Sequence, residues 1–126
     1  MSQGYKKLNV WQNSYNLTLE IYSTTKQFPK EERYGLTSQM RRASTSVIAN
    51  IAEGNSKRYL KEYIRHLNYS LGSTNELEVY LLLSKDLEYI TGDIYVKLNN
   101  NNEVIGKMLF RLIESLKKKP NIFKHY

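Results

Sequence analysis

The sequence predicts an all-α fold, an antiparallel up-and-down bundle of four helices. The 126 residues include only two prolines and six glycines, and no Asn-Gly or Asp-Gly pair marks a tight hairpin. Apolar residues recur at alternating steps of three and four, which is the spacing of one helix face. Short connections between four such segments favour antiparallel neighbours. A chain of this size makes one domain that buries roughly two-thirds of its unfolded surface.

The first two helices are predicted at residues 9–27 and 36–53. Phe28 ends the first helix, because a residue that precedes proline is disfavoured in the α conformation. Gly54 supplies the C-terminal stop of the second, since glycine adopts the left-handed conformation without steric cost. The apolar residues of the second helix follow steps of four and three: Leu36, Met40, Ala43, Val47 and Ile51.

The third and fourth helices are predicted at residues 56–89 and 92–118. Thr91 is a suitable N-cap for the fourth, because its hydroxyl can accept a hydrogen bond from a free backbone amide. Four poor helix formers occupy Asn99–Asn102, and the pattern leaves open whether the helix breaks there. Residues 120–126 are expected to form a loose tail.

The composition excludes several classes of protein. The chain has no cysteine, which removes disulfide frameworks, thiolate metal sites and cysteine catalysis. No apolar run approaches the roughly 18 residues of a membrane span, and residues 1–7 are polar rather than a signal peptide. We therefore expect a soluble, cytoplasmic protein that does not associate with a membrane.

No arrangement of residues indicates an active site. His66 and His125 lack the partner spacing of a zinc or di-iron helix motif. The hydroxyl residues Ser44, Thr45 and Ser46 fall within a predicted helix rather than on the sharp turn that exposes a nucleophilic serine. The chain also lacks a glycine-rich phosphate loop. We expect a non-enzymatic protein with no metal and no cofactor.

The charge pattern indicates a surface that binds a polyanion. The formal net charge is +7. At the start of the third predicted helix, basic side chains are interleaved with aromatic rings. The candidate nucleic-acid-binding residues are Lys57, Arg58, Lys61, Arg65 and Tyr63. Cations beside flat rings suit phosphate contacts and base stacking. Lys6, Lys7 and Lys117–Lys119 would extend this surface if the fold brings them near. The alternative is a solvated basic face.

Two stretches, Val79–Leu83 and Met108–Ile113, are apolar nearly all the way round the helix axis. A bundle that stays monomeric buries one face of each helix and does not require such stretches. The predicted oligomer interface takes its residues from these stretches: Val79, Tyr80, Leu82, Leu83, Leu109 and Phe110. Eleven tyrosines fit the same hypothesis, because amphipathic aromatic residues are enriched at protein interfaces. Such residues are also common on basic nucleic-acid surfaces, so the tyrosines alone do not decide between the two. The alternative is that both stretches face a crowded bundle centre.

A structural ion pair is predicted between the second and third helices. If these helices pack antiparallel about Gly54, then Arg41 or Arg42 comes within reach of Glu76 or Glu78. Glu78 falls on the predicted inner stripe, where an unpaired carboxylate is costly. The alternative is an acid or a base that acts at the bundle centre.

Five stretches of sequence are typical of a known family: LNVW from Leu8, FPKEERYGLTSQMRRA from Phe28, NIAEG from Asn50, KEYIR from Lys61, and LGS from Leu71 followed by ELE from Glu76. Over about residues 5–118 the chain resembles the bacterial four-helix bundle family known as 23S ribosomal RNA intervening-sequence proteins. The chain departs from the family pattern at Ile48, where members usually carry proline, and at Tyr59-Leu60, where they carry a Ser-Thr cap.

The resemblance implies a bundle that assembles as a ring-like homopentamer. It also implies kinship with the accessory proteins of diversity-generating retroelements, which are basic pentamers that bind nucleic acid and a reverse transcriptase.

Two functions are therefore considered. The first is a basic oligomer that binds RNA or DNA, as an accessory to another nucleic-acid protein. The second is a protein-interaction scaffold without direct nucleic-acid binding, whose basic charge only keeps it soluble.

Overall fold

The computed structural model describes residues 4–121, which form helices and connecting turns with no strand in that range. None of the helices in this range carries an apolar stretch long enough to cross a bilayer. In chain order the elements are a 3-10 turn at Gly4–Lys7, α1 (Asn9–Thr25), a 3-10 turn at Lys30–Glu32, α2 (Leu36–Asn55), α3 (Leu60–Asp86) and α4 (Gly92–Lys117).

The four helices pack as a four-sided bundle. Each helix backbone lies close to that of the next helix in the chain, and α1 also lies close to α4, whereas no Cα atoms of α1 and α3, or of α2 and α4, come within 8 Å of each other in residues 4–121. Helices α1 and α3 are therefore diagonal to each other. The apolar stripes of all four helices meet in one buried core, whose most enclosed members include Ile21, Met40, Ile51, Leu67 and Ile105.

Small hydroxyl residues hold neighbouring helices close together. Thr18 donates from Oγ1 to the carbonyl of Ser44, 3.2 Å away, and joins α1 to α2. Ser70 donates from Oγ to the carbonyl of Val47 at 2.8 Å, and this bond joins α2 to α3. Because these side chains are short, the helix backbones approach closely while the buried hydroxyls stay hydrogen-bonded.

Helix α3 is shorter than predicted at both ends. It begins at Leu60 rather than at residue 56, because Tyr59 has an extended backbone with φ −106° and ψ 136°. Lys57 and Arg58 therefore lie in the connection before the helix. The helix ends at Asp86 rather than at residue 89, since Glu88 has a left-handed φ of 65° that a helix cannot continue through. The other three helices lie within two residues of their predicted bounds.

The four asparagines of α4 do not interrupt the helix. Asn102 is 3% exposed and donates from Nδ2 to the carbonyl of Thr74 on α3, 2.9 Å away. A residue with weak helix propensity is thus tolerated because its side chain joins two helices. Residues 120–126 were expected to form a loose tail, and this is wrong at Asn121, whose side chain accepts a hydrogen bond from the start of α3. Residues 122–126 lie outside the described residues.

The predicted ion pair between α2 and α3 is wrong. Arg42, Glu76 and Glu78 are all exposed, and none of them forms an ion pair within residues 4–121. Glu76 and Glu78 flank the fully buried Leu77, so the helix turn directs both carboxylates outward. Arg41 contacts α1 instead.

Arg41 is held by the last turns of α1. Its Nε donates to Oγ1 of Thr25 at 2.9 Å, and a terminal nitrogen donates to the carbonyl of Tyr22 at 3.3 Å. The guanidinium carbon also lies 4.6 Å from the centroid of the Tyr22 ring, a favourable cation–π distance. This arginine therefore stabilises the packing of α1 on α2 without a carboxylate.

The predicted interface residues divide between surface and core. Val79 is 61% exposed, and Leu82, Leu83 and Phe110 are also exposed large apolar residues. Leu109 is fully buried, so its assignment to an oligomer interface is wrong: it points into the core from the same turn that directs Phe110 outward. Tyr80 is half-buried and packs against the core edge.

Candidate nucleic-acid interface

Basic side chains are concentrated around the start of α3, which lies against the end of α2 and is hydrogen-bonded to Asn121 after α4. We call this region the basic end. It comprises nine residues, namely Lys6, Lys7, Lys57, Arg58, Lys61, Arg65, Lys117, Lys118 and Lys119. Three acidic residues share it, namely Glu53, Glu62 and Glu114. The difference accounts for most of the formal net charge of +7.

Contacts from the two ends of the described chain assemble this region. The carbonyl of Asn121 accepts from the backbone amide of Leu60 at 2.6 Å, and its Oδ1 accepts from the amide of Lys61 at 2.9 Å. These bonds place Lys117–Lys119 beside the start of α3. The first 3-10 turn packs on α2, with Gly4 near Asn55. The lysines that were predicted to extend the surface are therefore brought to it.

The basic residues around the start of α3 differ in how free their charges are. Nζ of Lys57 lies 3.0 Å from Oε2 of Glu53, and this hydrogen bond, with the lysine charge, lowers the pKa of the Glu53 carboxyl. Arg58, Lys61 and Arg65 are exposed and have no ion-pair partner within residues 4–121. One helical turn separates Lys61 from Arg65, about 6 Å along α3. These three cations can therefore meet neighbouring phosphates.

Tyr63 is not part of this surface, and its predicted role in base stacking is wrong. The ring is 2% exposed, and Nδ2 of Asn55 donates to its hydroxyl at 3.2 Å. Burial raises the pKa of the Tyr63 hydroxyl, which keeps it protonated. Tyr59 and Tyr69 are exposed rings near the basic end; the sequence pattern of rings among basic residues included Tyr59 but not Tyr69.

The geometry of this region suits electrostatic binding. The described part of the chain holds no group of three or more His, Asp or Glu side chains that could bind a metal ion. Exposed lysines and arginines at one end of the bundle instead provide a field that attracts a polyanion and individual donors for its phosphates.

The comparisons with known proteins place the chain in a family. The sequence profile described as 23S rRNA-intervening sequence protein matches residues 6–111. The chain belongs to this family. A separate comparison of the sequence with curated proteins gave no significant match.

A solved structure supports the same assignment. The 23S rRNA-intervening sequence protein fold seen here resembles the crystal structure of a protein of unknown function from the S23 ribosomal protein family of Bacteroides thetaiotaomicron. The TM-score is 0.77 at 29% sequence identity, and the match covers 83% of this chain and 95% of that chain. The departure from the family pattern at Ile48 lies inside α2, which runs as one continuous helix.

Proposed function

We propose that this member of the 23S rRNA-intervening sequence family is a non-enzymatic protein that binds RNA or DNA through its basic end. The observation that carries the proposal is the excess of basic over acidic residues at that end, together with the exposed Arg58, Lys61 and Arg65, which have no ion-pair partner within residues 4–121. Each phosphate that such a group contacts releases condensed counterions, which favours binding at low salt.

An oligomer is part of the proposal. We infer an antiparallel bundle, supported by the order of contacts between α2 and α3, where Val47 meets Ser70 and the earlier Met40 meets the later Ser84. Exposed apolar residues on α1 and near the end of α3 form two unlike patches, and others, including Phe110, lie on α4. The α1 patch consists of Tyr15, Leu19 and Tyr22, and the α3 patch consists of Val79, Leu82, Leu83 and Leu87.

These patches support a ring. Helices α1 and α3 are diagonal, so their outer faces point to opposite sides of the bundle. A patch on one copy that meets a different patch on the next copy gives a head-to-tail contact, which closes into a ring when the rotation allows. The resemblance to pentameric relatives sets the expected number of copies at five. It also suggests another nucleic-acid protein, such as a reverse transcriptase, as the partner.

A second candidate function is a protein-interaction scaffold that does not bind nucleic acid. The exposed apolar patches favour it, because solvent-exposed clusters of this kind mark surfaces for other proteins. Salt dependence separates the two functions. Phosphate contacts weaken steeply with salt, whereas burial of apolar surface does not.

The test compares two triple variants of the untagged protein. Arg58→Gln, Lys61→Gln and Arg65→Gln remove three charges from the basic end while they retain straight-chain helix formers. The control changes three exposed residues elsewhere to Gln, namely Arg42, Lys97 and Lys107. Binding to a labelled DNA duplex is measured by fluorescence anisotropy over a range of salt concentrations.

We expect the slope of log affinity against log salt to become shallower by about 0.9 for each lost contact in the first variant only. Equal weakening by both variants would show that net charge alone drives binding. Absence of duplex and single-strand binding by the parent protein would favour the scaffold.

A further inference from the structure

A second concentration of positive charge lies at the end of the bundle opposite the basic end. A groove of about 460 Å³ runs between the end of α1 and the start of α2. Four cationic side chains line it, namely Lys26, Lys30, Arg33 and Arg41, and no acidic side chain does. We call it the cationic groove. Its volume is within the range of small-molecule sites.

The acidic residues nearest to the cationic groove are directed away from it. Glu32 accepts from the backbone amide of Leu36 through Oε1 at 3.1 Å and from the hydroxyl of Tyr89 through Oε2 at 2.8 Å. Glu31 is exposed and does not line the groove. The four cations therefore have no carboxylate partner within residues 4–121. A cleft lined by one sign of charge concentrates ions of the opposite sign.

Two further features point to a bound group. Thr37 is only 8% exposed and lines the groove, yet its hydroxyl makes no hydrogen bond within the described residues. Arg41 is fixed by Thr25 and Tyr22, so part of its guanidinium is preorganised while other N–H groups remain available. The Thr37 hydroxyl and the fixed guanidinium of Arg41 line the same groove, and both can donate hydrogen bonds to phosphate oxygens.

We propose that the cationic groove binds a phosphate monoester, with Lys30, Arg33 and Arg41 on the phosphate and the Thr37 hydroxyl donating to one of its oxygens. Phe28 and Pro29 provide an apolar wall for the organic part of the ligand. The phosphate comes either from a free nucleotide or from the 5′ end of a nucleic-acid strand. This site is separate from the basic end and does not rest on the proposed function.

The test uses adenosine monophosphate, adenosine, and an oligonucleotide with and without a 5′-phosphate as probes in isothermal titration calorimetry. The parent protein binds adenosine monophosphate and not adenosine. The double variant Lys30→Gln, Arg33→Gln weakens this binding by about tenfold or more, as expected for the loss of charge-assisted hydrogen bonds. Thr37→Val keeps the charge and the size of the side chain and weakens binding several-fold.

The matched control is Lys107→Gln, Arg111→Gln, which removes one lysine and one arginine from exposed positions of α4 outside both the basic end and the cationic groove and leaves adenosine monophosphate binding unchanged. Equal affinity for adenosine and its monophosphate, or equal weakening by both double variants, would overturn the proposal. A preference for the 5′-phosphorylated oligonucleotide over its hydroxyl form assigns the phosphate to a strand end. Binding of adenosine monophosphate without that preference assigns it to a free nucleotide.

Discussion

Gly54 marks a close approach of α2 and α3. A Cβ atom at this position would lie 2.8 Å from Cβ of His66 and 2.9 Å from Cδ1 of Tyr63. The absence of a side chain lets the Tyr63 ring lie against the α2 backbone, where Asn55 binds its hydroxyl. This glycine therefore leaves room for the buried position of Tyr63, the residue predicted to stack on bases.

The glycines of α2 and α3 give a matched pair of substitutions. Gly54→Ala should lower the free energy of unfolding by about 1–3 kcal/mol, because the new methyl group overpacks a filled contact. Gly72→Ala, with nothing within 4 Å of the added atom, should raise it by about 0.5–1 kcal/mol through better helix propensity. Urea denaturation measures both. A Gly54→Ala protein as stable as Gly72→Ala would contradict the close packing.

Single residues also show how far the sequence could predict the site. Tyr63 lies three residues after Leu60 and four before Leu67, so the helical spacing already placed it on the buried stripe. The prediction gave more weight to its basic neighbours than to this spacing. Arg41 and Arg42 could not be separated from sequence, because their roles depend on the rotation of α2 against α1.

Helix starts differ in whether their caps are local. Thr91 caps α4 by accepting from the amide of Ile94 at 3.2 Å, and this short-range pattern was predicted. Helix α3 has no side-chain cap from its own N-cap residue, Tyr59. The backbone amides of Leu60 and Lys61 instead donate to Asn121, which lies sixty residues after Lys61 in the sequence. Sequence reading placed the start too early because nothing local indicates so distant a partner.

Asn121→Ala tests this long-range cap. Loss of the side-chain acceptor should lower the free energy of unfolding by about 0.5–2 kcal/mol, as for other cap removals. Hydrogen exchange should become faster at the amide of Lys61. Thr91→Ala is the matched control, which should speed exchange at Ile94 and leave Lys61 unchanged. Unchanged exchange at Lys61 in Asn121→Ala would show that the bond does not protect α3.

At the scale of the whole molecule, the bundle presents apolar surface on two opposite sides. The predicted interface residues Val79, Leu82 and Leu83 belong to the α3 patch, whereas the α1 patch was not assigned to an interface. The sequence indicated surplus apolar surface on α3 and α4 but not its geometry. Which patches face apart depends on how the helices are arranged around the core.

A mixing experiment tests the head-to-tail contact. Leu19→Lys places a charge in the α1 patch, and Leu83→Lys places one in the α3 patch, so each variant should be monomeric by light scattering. Each variant keeps the patch that the other has lost, so an equimolar mixture should form dimers. An oligomer that either variant leaves intact, or a mixture that stays monomeric, would contradict this contact.

The described chain begins and ends beside the same short connection. Gly4 packs near Asn55 and Asn121 bonds to Leu60, and only residues 56–59 separate those two partners. A short linker could join these points, and new termini could open in the exposed turn around Glu88, without changing any contact between helices. The bundle is thus compatible with circular permutation. Such a permutant would carry its free ends on the side away from the clustered lysines, leaving that surface unobstructed.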